Sequence, residues 1–129
     1  MRTTKNLLKG LFLFFLLSII ITGCSSDDNS SNSRKVTFKV VGSNGANITT
    51  IVYALNSETF PVLNVNSSNW TSEEITLPAD VNILSLSGNA IGSSASSSIR
   101  LEILVNGQVK KQQSASGTVM STFTQYTIN

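Results

Sequence analysis

From residue 35 to the C-terminus the dominant hydrophobic period is two, the repeat of a strand that buries one face. Val36, Phe38 and Val40 alternate with Thr37, Lys39 and Val41, and Gly42-Ser43-Asn44-Gly45 reads as a turn. Thr49 to Leu55 is a β-branched run with Ile51, Tyr53 and Leu55 on one face. Phe60 to Val65 reads as a short strand in which Pro61, having no N–H to donate, indicates a sheet edge. Ile75 and Leu77 mark another strand, stopped at Pro78. Val81 to Leu86 is apolar on both faces, which fits a central strand or a bulge, and Asn89 to Ser98 reads as a Gly/Ala/Ser loop.

The cleanest alternation is Ile99, Leu101, Ile103 and Val105 against Arg100, Glu102 and Leu104. Asn106-Gly107 follows at once, the preferred dipeptide of a tight hairpin whose two central residues need positive φ. Val109 begins the return strand, where Lys110 and Lys111 suit an exposed edge that must not pair with a neighbour. Thr118 to Ile128 supplies the last strand. No window after residue 34 carries an apolar stripe at helical spacing. Residues 35–129 are therefore expected to form one antiparallel, immunoglobulin-like β-sandwich of seven or eight strands, all-β and without internal repeats.

Ahead of this domain the pattern changes twice. Leu11 to Ile21 is apolar apart from Ser18, with Arg2, Lys5 and Lys9 before it and small residues after it, the three parts of a secretory signal. The run is about half the ~20 residues that span hydrocarbon as a helix, which weighs against the alternative of a retained anchor. Ile21-Thr22-Gly23-Cys24 resembles the lipobox of bacterial lipoproteins. The resemblance implies that residues 1–23 are a removed signal peptide and that a diacylglycerol is attached to the Cys24 thiol, with the new amino group usually acylated as well. Two or three chains hold a protein stably on a bilayer where one does so only marginally. A membrane, reached through acyl chains on Cys24, is thus the first expected partner.

Residues 24–34 are expected to be the lipidated cysteine and a flexible tether. Ser25 to Ser33 contains no apolar residue, so nothing in it is buried to offset the entropy of ordering. Asp27 and Asp28 resemble the surface-export tag of lipoproteins from the Bacteroidetes, although an ordinary solvated linker accounts for them equally. The tag favours the outer membrane or cell surface over the inner membrane.

Charge changes meaning once the signal is removed. All seven acids lie after residue 23 but only six of the nine bases do, so the net charge of +2 becomes −1. The basic character sits in the leader, and nucleic acid, which requires a clustered basic face, is not an expected partner. The one cysteine is accounted for by the lipid, so the domain stands on packing without disulfides.

Residues 75–119 resemble the C-terminal domain of the small mycobacterial membrane proteins (MmpS). The resemblance is carried by Leu77-Pro78, Leu84-Ser85-Leu86-Ser87, Ile103-Leu104-Val105-Asn106-Gly107-Gln108-Val109 and Ser116-Gly117, with Val36 to Gly42 fitting the first strand more loosely. It implies an immunoglobulin-like sandwich and an accessory role beside RND-type exporters. Family members commonly carry a cysteine on the strand before the hairpin and another on the last strand; near Leu101 and Thr122 this chain has none, so that disulfide is absent. The family is also tethered by a transmembrane helix, where this chain is expected to use lipid.

The residue inventory removes much chemistry. There is no histidine, which excludes Ser-His-Asp and Cys-His catalysis and the usual zinc sites. Lys110 or Lys111 with a serine is formally a catalytic pair, but edge lysines are ordinarily solvated. Glu73-Glu74, read on a strand, point to opposite faces and do not converge. Asp27-Asp28-Asn29 lacks the fixed turn of a calcium loop. Catalytic, metal and cofactor residues are therefore all expected to be none. Trp70, in the polar stretch Ser67 to Thr71, is the candidate ligand contact, stacking on a sugar or anchoring a protein, or else covering one end of the core. Tyr53 and Tyr126 fit strand patterns and are weaker candidates. The expected function is a membrane-anchored, non-enzymatic binding module with an unidentified protein or glycan partner; the alternatives are an exporter accessory like MmpS and a carbohydrate-binding module.

Overall fold

The structure, a computed structural model, describes residues 33–129. Arg34–Asn129 forms one compact unit. Its strands in chain order are β1 (Lys35–Ser43), β2 (Asn47–Leu55), β3 (Glu58–Val62), β4 (Asn69–Thr71), β5 (Ile75–Thr76), β6 (Ile83–Ile91), β7 (Ser98–Val105), β8 (Gln108–Ser116) and β9 (Val119–Thr127). One sheet has the order β4-β1-β7-β8, with β5 also paired to β1; the other has the order β3-β2-β6-β9. All pairings are antiparallel. This is the expected all-β sandwich, with nine strands in place of seven or eight because Asn69–Thr71, read as a polar stretch, forms the short β4 on the edge of β1.

The register explains why the two sheets close on each other. Val36, Phe38 and Val40 stand opposite Val105, Ile103 and Leu101, so apolar positions of β1 and β7 share the inner face. A slip by one residue would expose the whole set. Leu84 and Leu86 from β6 and Met120 from β9 meet them from the other sheet, all but excluded from water. Each such side chain contributes about 1.5–3 kcal/mol by leaving water. Ile48 and Ile51 are both buried although three residues apart, because the β2 pairing shifts between Ile48 and Thr50. The extra residue of that bulge, Thr49, breaks the alternation where the sequence pattern weakens.

Only β2–β3 and β7–β8 are hairpins within a sheet joined by tight turns. Asn106 and Gly107 take φ of 51° and 79°, as the Asn-Gly pair demands. Every described non-glycine residue with positive φ is an asparagine, which tolerates the left-handed region by bonding its own backbone. β6 runs on to Ile91, beyond the expected start of the loop at Asn89, because Asn89 and Ala90 pair with Ser121 and Met120. The edge readings hold: β3 with Pro61 and β8 with Lys110 and Lys111 both lie at sheet edges. Cys24, the signal segment and the tether as far as residue 32 lie outside the described residues, whereas Arg34 belongs to the compact unit and donates to the Pro78 carbonyl at 2.7 Å.

Candidate functional site

The site begins with an interruption at the outer edge of β1. β4 pairs with Lys39–Val41 and β5 with Lys35–Val36. Between them Ser72 takes over both backbone groups of Phe38: its Oγ accepts from the Phe38 N–H at 2.9 Å, and its own N–H donates to the Phe38 carbonyl at 2.9 Å. Pinned there, the chain bulges outward at Glu73 and Glu74. These two acids therefore stand in a connection, not on a strand as expected. Glu74 turns to Lys35 at 3.5 Å, an exposed pair of the kind that contributes about 0–1 kcal/mol.

Trp70 is opposite Val40, a position of the inner face, so strand alternation turns the indole toward the second sheet. There it meets Tyr53 of β2 at 6.0 Å between ring centroids. Tyr53 is in turn stacked on Phe38 at 4.9 Å and on Phe60 at 5.1 Å. Four aromatic rings thus close this side of the sandwich, grading from the fully buried Phe38 to the half-buried Tyr53, Phe60 and Trp70. A cleft of about 270 Å³ opens beside them, lined by Tyr53, Trp70, Thr71, Ser72, Glu73 and Ile75.

Trp70 packs on the core, one of the two readings weighed for it, and also lines the cleft. Sequence reasoning placed it in a polar loop because a three-residue strand carries too little alternation to register. The walls offer ring faces, hydroxyls and one carboxylate, which suits stacking and hydrogen bonding to an uncharged ligand. Tyr126 is half-buried against the core and away from this cleft's lining.

The other candidates stay apart. Lys110 and Lys111 line a shallow surface concavity with Val109, Gln112 and Gln113, and Lys110 donates to Gln108 at 3.2 Å. Glu102 is held by Arg100 at 3.0 Å on the outer face of β7. Among the described residues no group of three or more His, Cys, Asp or Glu is placed to hold a metal, and there is no helix long and apolar enough to cross a membrane.

A family model described as Mycobacterium membrane protein matches residues 16–128, which takes in all nine strands. The chain belongs to this family. The Mycobacterium membrane protein family is the MmpS-like one that the hairpin and strand motifs resemble, and membership associates the chain with a membrane and with an accessory role in membrane transport. Leu101 and Thr122, near the places where members commonly carry cysteines, lie on β7 and β9. Leu101 reaches across the core to within 3.1 Å of where a Cβ on Gly88 would stand, and Gly88 is the cross-strand neighbour of Thr122. Apolar packing against a bare backbone occupies that part of the core. No curated protein matches the chain.

Proposed function

We propose that the chain is a non-enzymatic interaction module of the cell envelope that assists a membrane exporter. It is held to the bilayer by acyl chains on Cys24 in place of a transmembrane helix. The family match across the whole sandwich is the observation that carries this reading. The cleft supports it: Trp70 and Tyr53 present partly open rings beside the hydroxyls of Thr71 and Ser72 without a convergent acid–base pair, a surface suited to contact.

Two measurements test the two halves. Cys24→Ser abolishes acyl labelling and leaves unprocessed precursor; normal processing of that variant refutes the lipid anchor. Pull-down of the wild-type chain recovers an RND-type transporter, and Trp70→Ala reduces the yield. Protease sensitivity on intact cells, with no transporter recovered, places the chain on the outer surface and refutes the exporter role.

A glycan partner is the second reading, favoured by the indole beside Thr71, Ser72 and Glu73. A glycan-array signal lost on Trp70→Ala supports it, and an unchanged signal removes it.

A further inference from the structure

The charges of the described domain are distributed unevenly between its two outer faces. The outward side of β1 and β7 carries Lys35, Lys39, Arg100 and Glu102, whereas β2, β6 and β9 contain no charged residue anywhere along their lengths. β3 adds only Glu58 at its first position, opposite the inward-facing Leu55. The outer face of the β3-β2-β6-β9 sheet is therefore free of charge over four strands.

This face is also where exposed apolar side chains collect. Cross-strand register sets Pro61, Val52, Ser87 and Phe123 in one row across all four strands. Phe123 is 58% exposed, and Val119, paired with Ile91 at the end of the sheet, is 77% exposed. The remaining outward positions are mostly Ser, Thr, Asn and Gln.

We infer that this sheet face is the interface of a symmetric homodimer, with a second copy of the chain as its occupant. Three arguments select the second copy. A face with no charge presents no like-charge clash to its own image, whereas the opposite sheet face would set lysines against lysines. Hydroxyl and amide side chains each donate and accept, so the same set pairs with itself across a two-fold axis. The size fits as well. Three strands of nine residues and one of five, at ~4.8 Å spacing and ~3.4 Å rise, cover about 520 Å² in projection per copy. Two copies together then bury about 1,040 Å², at the ~1,000 Å² that marks a specific interface. A lipid surface fits less well, because the many hydroxyls and amides would lose water without gaining partners and no lysine or arginine is present to meet headgroups.

The test uses the full-length chain in detergent micelles, with mass measured by light scattering after size exclusion and by sedimentation over a dilution series. The wild-type chain is expected to be a dimer that dissociates on dilution. Ser87→Lys, in the middle of the row, and Phe123→Lys each place a charge against its own image and weaken the dimer about a hundredfold or more, while Thr37→Lys on the opposite sheet leaves it unchanged. Circular dichroism and the unfolding midpoint of each variant separate a lost interface from a lost fold. A wild-type chain that is monomeric up to several hundred micromolar overturns the inference, whatever else the face then binds. So does a folded Ser87→Lys variant that dimerises as the wild type does.

Discussion

Tyr53 is the residue on which the aromatic side of the sandwich turns, and Tyr53→Leu isolates its contribution. The substitution keeps an apolar side chain at the site but removes the ring stacked on Phe38 at 4.9 Å and on Phe60 at 5.1 Å. Each such pair contributes roughly 0.5–1.5 kcal/mol beyond the area it buries. Losing both costs about 1–3 kcal/mol, and the tilted contact with Trp70 is lost besides. In a domain of this size about 2 kcal/mol lowers the melting midpoint by roughly 8–16 °C. Trp70 is the only tryptophan in the chain, so intrinsic fluorescence reports directly on the cleft. Urea titration followed by that emission should show a lower midpoint with an unchanged slope, and native emission shifted to the red as the indole loses its cover. Combining Tyr53→Leu with Phe60→Leu should recover a coupling energy of about 0.5–1.5 kcal/mol. A loss below ~0.5 kcal/mol with unshifted emission would refute the claim that stacking on Tyr53 shapes this side of the core.

Two further substitutions probe the frame. A Cβ at Gly92 would lie 2.2 Å from the Gly117 carbonyl oxygen and 2.5 Å from the Cβ of the buried Ser97, so Gly92→Ala forces the loops between β6–β7 and β8–β9 apart. It should destabilise by about 1–3 kcal/mol in thermal unfolding, the usual cost of overpacking, and an unchanged midpoint would contradict the close approach. Replacing Lys110 and Lys111 together by threonine removes both charges from the exposed β8 edge. Light scattering at rising concentration should then detect edge-to-edge aggregation with little change in the folding midpoint.

Much of the fold is readable without coordinates. The alternation through Val36–Val40 and Ile99–Val105 names the buried face of β1 and β7 residue by residue, because strand periodicity is a local property. Asn106-Gly107 and Pro61 similarly declare a hairpin and an edge by backbone chemistry alone. Trp70 is legible as a candidate contact but not as a strand residue, and Glu73-Glu74, which the pattern puts on a strand, stands in the connection between β4 and β5. Both depend on Ser72 replacing a strand partner at Phe38, an interaction between residues 34 positions apart.

By itself the sequence determined that the domain is all-β, that it lacks the histidine and paired thiols of common catalytic and metal sites, and which side chains of β1 and β7 turn inward. Only the tertiary structure decided which strands share a sheet. That choice brings Tyr53 and Trp70 to one cleft and leaves the β3-β2-β6-β9 face without charge. The physical reason is one of range. A strand's own repeat fixes its inner and outer sides, whereas its neighbours are selected by packing between segments distant in the chain, which no local pattern encodes.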